Sequence, residues 1–209
     1  VLTAYTNWSE EMPKAYHFSK KIKIGVADEG ISGISDSDIA YNITLFPEGG
    51  NFVSGVNNTF AYEIRDQFGN AINEKVELIS GSKVLKTDSA TWQGKGIISF
   101  KSKSGKAYFV RIQSAPAHKT PVQFSQEAAI SLSAKKNPVG YQIIFNKSTG
   151  EKQDIHYAII HNNQIIHYKS LSISKEYSFI LPEEILKEGT NQLVVFDNSY
   201  LPIAERLLF

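Results

Sequence analysis

The chain has 209 residues, 42% hydrophobic and 21% charged, which is enough apolar material for one large core or two small ones. Its 22 basic and 21 acidic residues leave a formal net charge of +1, so no field of one sign is available to hold a nucleic-acid backbone or an acidic membrane, and partners must be recognised locally. The absence of cysteine excludes disulfides, thiolate metal sites, cysteine nucleophiles and any thioester, and no run of about 18 apolar residues forms a membrane-spanning helix.

The opening "VLTAYTNW" lacks an initiator Met and the charged and apolar regions of a signal peptide, so the sequence reads as a piece of a longer polypeptide. Residues 1–25 carry two strand-like runs, "VLTAYTNW" and "AYHFSKKIKIG", read as the terminal strands of an upstream module; two strands alone are marginal in water and must dock on something. Residues 26–38, "VADEGISGISDSD", have linker composition. From 39 to 113 the chain predicts a first β-sandwich of six strands, "IAYNITLF", "TFAYEIRD", "KVELIS", "KVLKT", "GIISFKS" and "AYFVRIQ", each short, β-branched or aromatic, and bounded by Gly, Asn, Asp and Ser. Residues 114–124, "SAPAHKTPVQF", contain two prolines and no alternation, and read as a second linker. A second sandwich is predicted over 125–209, from "EAAISLSAKK", "GYQIIFN", "DIHYAIIH", "QIIHYKS", "EYSFIL", "NQLVVFD" and "PIAERLLF". Only "PEEILKEG", 182–189, reads as helical, with Pro first, acids in the first turn and Gly189 as the stop. The fold class is therefore all-β, two tandem β-sandwiches preceded by a strand pair, which the resemblance given below makes immunoglobulin-like.

Two stretches invite a chemical reading. In "LFPEGGNFVSGVNNTFAYEIRDQFGN", 45–70, the glycines are followed by alternating strand rather than a helix, so a phosphate loop is disfavoured. Gly49 and Gly50 instead supply positive φ in a bend between sheets, after Pro47 ends a strand. In "DIHYAIIHNNQIIHYKS" the Asn162-Asn163 pair suits a two-residue type I′ turn. Pairing back from that turn sets Ala158 opposite His167, places His156 and His167 diagonally on one face, and buries Tyr157, Ile159, Ile166 and Tyr168 on the other. The hairpin supplies two metal ligands and no third, so these histidines are read as solvent-side residues and no cofactor or metal is expected.

The carboxylate pairs Glu10-Glu11, Asp36/Asp38 and Glu183-Glu184 fall in breaks or at a helix start, where acids are solvated, and a small sandwich offers little cleft for a glycosidase pair. No Gly-x-Ser-x-Gly elbow and no His-Glu-x-x-His occurs. Four Asn-x-Ser/Thr sequons, at Asn7, Asn42, Asn57 and Asn146, are read as coincidence in an Asn-rich chain. Among aromatic residues Trp92, in the turn "DSATWQGKG", is the candidate ligand contact: it either stacks on a sugar or peptide or folds back over the sandwich edge. Trp8 is the second candidate, read as capping a seam with the upstream module.

"AYTNW" followed by "FSKKIKIG", then "LFPEGGNFVSGVNNTFAYEIRDQFGNAI", the Gly94/Gly96 pair before "ISF", and "IAERLLF" together resemble the tandem immunoglobulin-like, macroglobulin-like modules of large outer-membrane and secreted proteins of Bacteroidetes. Some of those accompany TonB-dependent receptor plug segments. The resemblance implies a fold similar to α2-macroglobulin domains. The thioester of the α2-macroglobulins cannot be carried over without cysteine, and no catalytic residue comes with the match. It implies a non-catalytic structural and interaction segment in a Gram-negative cell envelope. Its partners would be neighbouring domains of the same polypeptide, and another envelope protein or a glycan in the binding-module alternative, with no nucleic acid involved.

Overall fold

The computed structural model describes residues 2–4, 6, 10, 17–20, 40–125 and 130–209. Strands β1 (Leu2–Ala4) and β2 (Phe18–Lys20) form an antiparallel pair with Thr3 opposite Ser19. Trp8, the 26–38 segment and the remainder of the leading piece lie outside the described residues.

Seven strands follow: β3 (Tyr41–Pro47), β4 (Asn57–Asp66), β5 (Lys75–Ser80), β6 (Lys83–Ser89), β7 (Lys95–Lys101), β8 (Phe109–Ile112) and β9 (Lys119–Pro121). They form two antiparallel sheets of order β3-β4-β7 and β6-β5-β8-β9. Alternation explains the layering. On β4, Asn58, Phe60, Tyr62 and Ile64 point inward and are buried, and they meet Val76 and Leu78 of β5 and Val110 and Ile112 of β8 in one core.

The second unit repeats the plan with β10 (Ile130–Asn137), β11 (Gly140–Lys147), β12 (Gln153–His161), β13 (Gln164–Ile173), β14 (Glu176–Pro182), β15 (Asn191–Phe196) and β16 (Pro202–Leu208). Its sheets run β10-β11-β14 and β13-β12-β15-β16, around a separate core that includes Leu132, Phe145, Ile155, Tyr157, Ile159, Leu193 and Val195. In both units the first, second and fifth strands make one sheet, and the fourth, third, sixth and seventh make the other. That two-sheet, seven-strand arrangement is an immunoglobulin-like β-sandwich. The repeat extends to detail. The third and fourth strands of each unit join by a two-residue turn and then slip register at the same step, between Leu78 and Ile79 and between Ile159 and Ile160.

Three expectations need correction. Residues 114–124 are not wholly a linker: Lys119–Pro121 pairs with β8 as the seventh strand, Val122 is buried and Phe124 packs on the core, edge-to-face with Tyr108. Proline hid the strand, but Pro121 stands at its end on an edge, where no ladder donor is needed. The helix predicted at 182–189 is a single 3-10 turn, Glu183–Ile185. Beyond it the buried Asn191 side chain accepts from the Lys187 amide and donates to the Lys187 and Gly189 carbonyls, so the segment is tied down as a loop. Finally, the β12–β13 bulge sets Ile159, not Ala158, opposite His167, because the extra residue Ile166 flips every side chain beyond it.

Candidate functional site

That flip separates the histidines. His167 turns toward the core side, where the Tyr157 hydroxyl lies 3.2 Å from its Nε2, while His156 stays on the outer face. Tyr168, expected in the core, is instead exposed beside His156. Asn162 and Asn163 both have positive φ, as the turn requires. Two histidines on opposite faces of a sheet cannot share one ion. Zinc at micromolar excess is expected to leave the melting temperature unchanged, since a ligand selective for the folded state must raise it; a rise abolished by His167→Ala would contradict this placement.

Glu183 and Glu184 sit on the short 3-10 turn and Glu10 is exposed, while Glu11, Asp36 and Asp38 lie outside the described residues. Asn146 is buried, which removes it as a surface sequon. Among the described residues the most perturbed ionisable group is Tyr62. Burial, and then the Asp88 carboxylate to which its hydroxyl donates at 2.8 Å, push its phenol far above the ordinary range. Asp88 also accepts from the Ile97 amide, so the pair fixes β6 against the opposite sheet, a structural task.

Trp92 does not fold back over the sandwich edge. It opens a tight turn in which Gln93 and Gly94 take positive φ and the Lys95 amide donates to the Trp92 carbonyl. Its ring is 64% exposed, with the Lys95 ammonium 5.0 Å above one face. Trp92→Ala is expected to change stability by no more than about 0.5 kcal/mol, because an exposed side chain leaves no cavity when removed; urea titration of the variant measures it.

The Pro-Glu-Gly-Gly stretch has a role that its local sequence did not announce. Gly49 and Gly50 both have positive φ, and Gly50 donates to the Pro47 carbonyl, which turns the chain onto the second sandwich. There the loop meets the open side where β10 and β16 lie next to each other. The Glu205 amide donates to the Gly49 carbonyl at 3.2 Å, and the Asn51 amide group donates to the Ile203 carbonyl at 2.9 Å, both on the β16 side. On the other side the Glu48 carboxylate accepts from the Ala134 amide of β10 at 3.1 Å, with Arg206 Nε 3.5 Å from the same oxygen. Ser131 of β10 donates to the Asn57 carbonyl of the first sandwich. Gly49 lies so close that a Cβ there would stand 2.7 Å from the Leu132 Cβ and 3.1 Å from its backbone N and O. One loop of the first sandwich thus occupies backbone groups on two edge strands of the second, which covers an edge otherwise open to pairing. The ion pair adds little, because Arg206 is half exposed; the backbone bonds and close packing define this joint.

No protein-family model matches the chain, and no curated protein matches it. Among solved structures it is similar to domains 4–9 of the surface layer protein SbsC, at 13% identity and a TM-score of 0.35, covering 80% of this chain and 30% of that one. It is similar also to fibronectin(III)-like modules of Clostridium thermocellum CbhA, at 14% identity and a TM-score of 0.26, covering 79% and 91%. A third similarity is to Escherichia coli alpha-2-macroglobulin activated by porcine elastase, at 12% identity and a TM-score of 0.29, covering 80% and 20%. The chain spans less than a third of the length of the surface-layer structure. The immunoglobulin-like architecture rests on the strand order and registers themselves.

Proposed function

We propose that this chain is a non-catalytic structural segment of a larger envelope or secreted protein, in which the two sandwiches form one stiff unit that holds other domains at a set distance and orientation. The observation that carries this reading is the joint at Glu48, Gly49 and Asn51. A flexible tether needs only a linker, whereas here the loop is shaped by two positive-φ glycines to bond two separate strands of its neighbour. The resemblance to macroglobulin-like modules of Bacteroidetes outer-membrane and secreted proteins agrees with such a role. A Gram-negative envelope location and neighbouring domains as partners belong to this proposal.

Stiffness is directly measurable. The chain has no cysteine, so Ser82→Cys with Ser174→Cys places one spin label on an exposed position of each sandwich without background. A single narrow distance distribution by pulsed electron resonance supports the reading. A broad distribution spanning tens of ångströms would remove its basis, since two freely tethered domains cannot space anything.

A further inference from the structure

Two turns of this chain share a backbone hydrogen-bond pattern and differ in the kind of residue that holds their positive φ. In "DQFGN", 66–70, the Asp66 carboxylate accepts from the Phe68 and Asn70 amides, Gly69 donates to the Asp66 carbonyl, and Asp66 donates to the Asn70 carbonyl. In "DNSYL", 197–201, Asp197 accepts from the Ser199 and Leu201 amides, Tyr200 donates to the Asp197 carbonyl, and Asp197 donates to the Leu201 carbonyl. The fourth position needs positive φ in both, +86° at Gly69 and +61° at Tyr200. Glycine meets that requirement freely, and a bulky aromatic residue there is an outlier. Core packing does not account for it, because Tyr200 is 63% exposed. Strain at an exposed aromatic residue points to a use for the side chain.

What surrounds the ring indicates the use. Tyr200 lies nearly parallel to His156, with centroids 4.8 Å apart and an interplanar angle of 12°, and the Tyr168 ring lies 5.8 Å from His156 at 14°. Two hydroxyls converge on His156 Nδ1 and orient the His156 ring on which Tyr200 lies: Tyr168 Oη at 2.7 Å and Ser170 Oγ at 2.9 Å. The Tyr168 hydroxyl also pushes the Tyr200 phenol above its ordinary value. Beside the rings an open depression is lined by Asp154, Ser170, Ser172 and Asn198. Asp154 pairs with Ser172 and His156 with Ser170 across the β12–β13 ladder, so these groups share the outer face in successive rows.

We propose that Tyr200, with Tyr168, Asp154, Ser170 and Asn198, forms a carbohydrate-binding site that stacks a pyranose on the exposed tyrosine and fixes its hydroxyls with the polar rim. A pyranose has an apolar C–H face and equatorial hydroxyls that both donate and accept. The aromatic face answers the first, and the carboxylate, amide and serine hydroxyls answer the second. Pre-oriented rings bind with little loss of side-chain freedom. A neutral sugar also fits a chain with a net charge of +1. The site is compatible with the spacer role and uses other residues, since it draws on β12, β13 and the β15–β16 turn while the joint contacts β10 and the 203–206 stretch of β16.

The test is affinity electrophoresis of the full chain in gels containing a β-1,4-xylan, a β-1,3-glucan or an α-1,6-mannan, with poly-L-proline as the peptide comparison. Retardation by one polysaccharide is expected. Tyr200→Gly, which reproduces the 66–70 turn and so retains the fold, is expected to weaken it at least about tenfold, the loss typical of an aromatic anchor. Tyr200→Phe retains most of the retardation and Trp92→Ala retains all of it, with unchanged melting temperatures as the control. The proposal fails if no polysaccharide retards the chain, if Tyr200→Gly binds as tightly as the parent, or if poly-L-proline alone is bound.

Discussion

Gly49→Val is expected to release the two sandwiches from each other while leaving each one folded. The residue sits at φ +80°, where a β-branched side chain costs at least about 1–2 kcal/mol. Its Cβ would stand 2.7 Å from that of Leu132 and press on the Leu132 backbone, which belongs to a strand and cannot yield cheaply. Relief comes by opening the joint, which forfeits the bonds from Glu205 to Gly49, from Asn51 to Ile203 and from Ala134 to Glu48. At about 0.5–1.5 kcal/mol each, those three bonds and the backbone cost bring the whole loss to roughly 2.5–6.5 kcal/mol. Because each sandwich keeps its own core, the loss appears as a wider distance distribution between spin labels and as two separated thermal transitions. Gly50→Ala is the control. It has the same positive φ but nothing within 4 Å of an added Cβ, so it carries only the backbone cost and keeps the distribution narrow. If Gly49→Val unfolds in one transition with an unchanged distribution, the joint is not what orients the domains.

Asn58→Leu is expected to destabilise the first sandwich by about 3 kcal/mol, far more than an ordinary surface change. Asn58 is buried at the start of β4 among residues that cannot replace it. Its carbonyl oxygen accepts from the Val53 amide at 2.8 Å, and its amide group donates to the carbonyls of Val53 and Val56 and to Ser102 Oγ. The Ser102 amide donates to the Val56 carbonyl and the single Ser102 hydroxyl proton reaches the Val53 carbonyl, so both keep a partner when Asn58 is removed, but the Val53 N–H does not. A buried orphan donor costs about 1–3 kcal/mol, and the lost bonds to the loop add to it. Ser102→Ala leaves Asn58 in place and should cost about 1 kcal/mol, so the ratio of the two losses in urea titrations tests the assignment. The consequence reaches the joint, because the network holds the segment from Val53 to Asn58, and the neighbouring Asn57 carbonyl accepts from Ser131 of the second sandwich.

These two residues mark what the sequence by itself determined. Alternation in runs such as "TFAYEIRD" was enough for the all-β class, for thirteen of the fourteen sandwich strands and for the inward Tyr157 and Ile159 of β12, because period-two burial is a local property of the chain. Positive φ at Gly49 and Gly50 and the Asn162-Asn163 turn were equally local, and were legible for that reason. The tertiary structure decided whatever depends on a partner far along the chain. The strand at Lys119–Pro121 exists because β8 offers it an edge, and no alternation announces three residues containing proline. A one-residue bulge at Ile166 exchanged the faces of His167 and Tyr168 and dissolved the histidine pair. The same exchange assembled Tyr168, His156 and Tyr200, where the only local sign was a tyrosine in the glycine position of an Asp-initiated turn. A site is a convergence of side chains and convergence is fixed by register, so which aromatic residues meet polar neighbours was not legible in the sequence. The joint followed the same logic: Pro-Glu-Gly-Gly specified a bend, and only the packing of Leu132 against Gly49 turned that bend into a contact between domains.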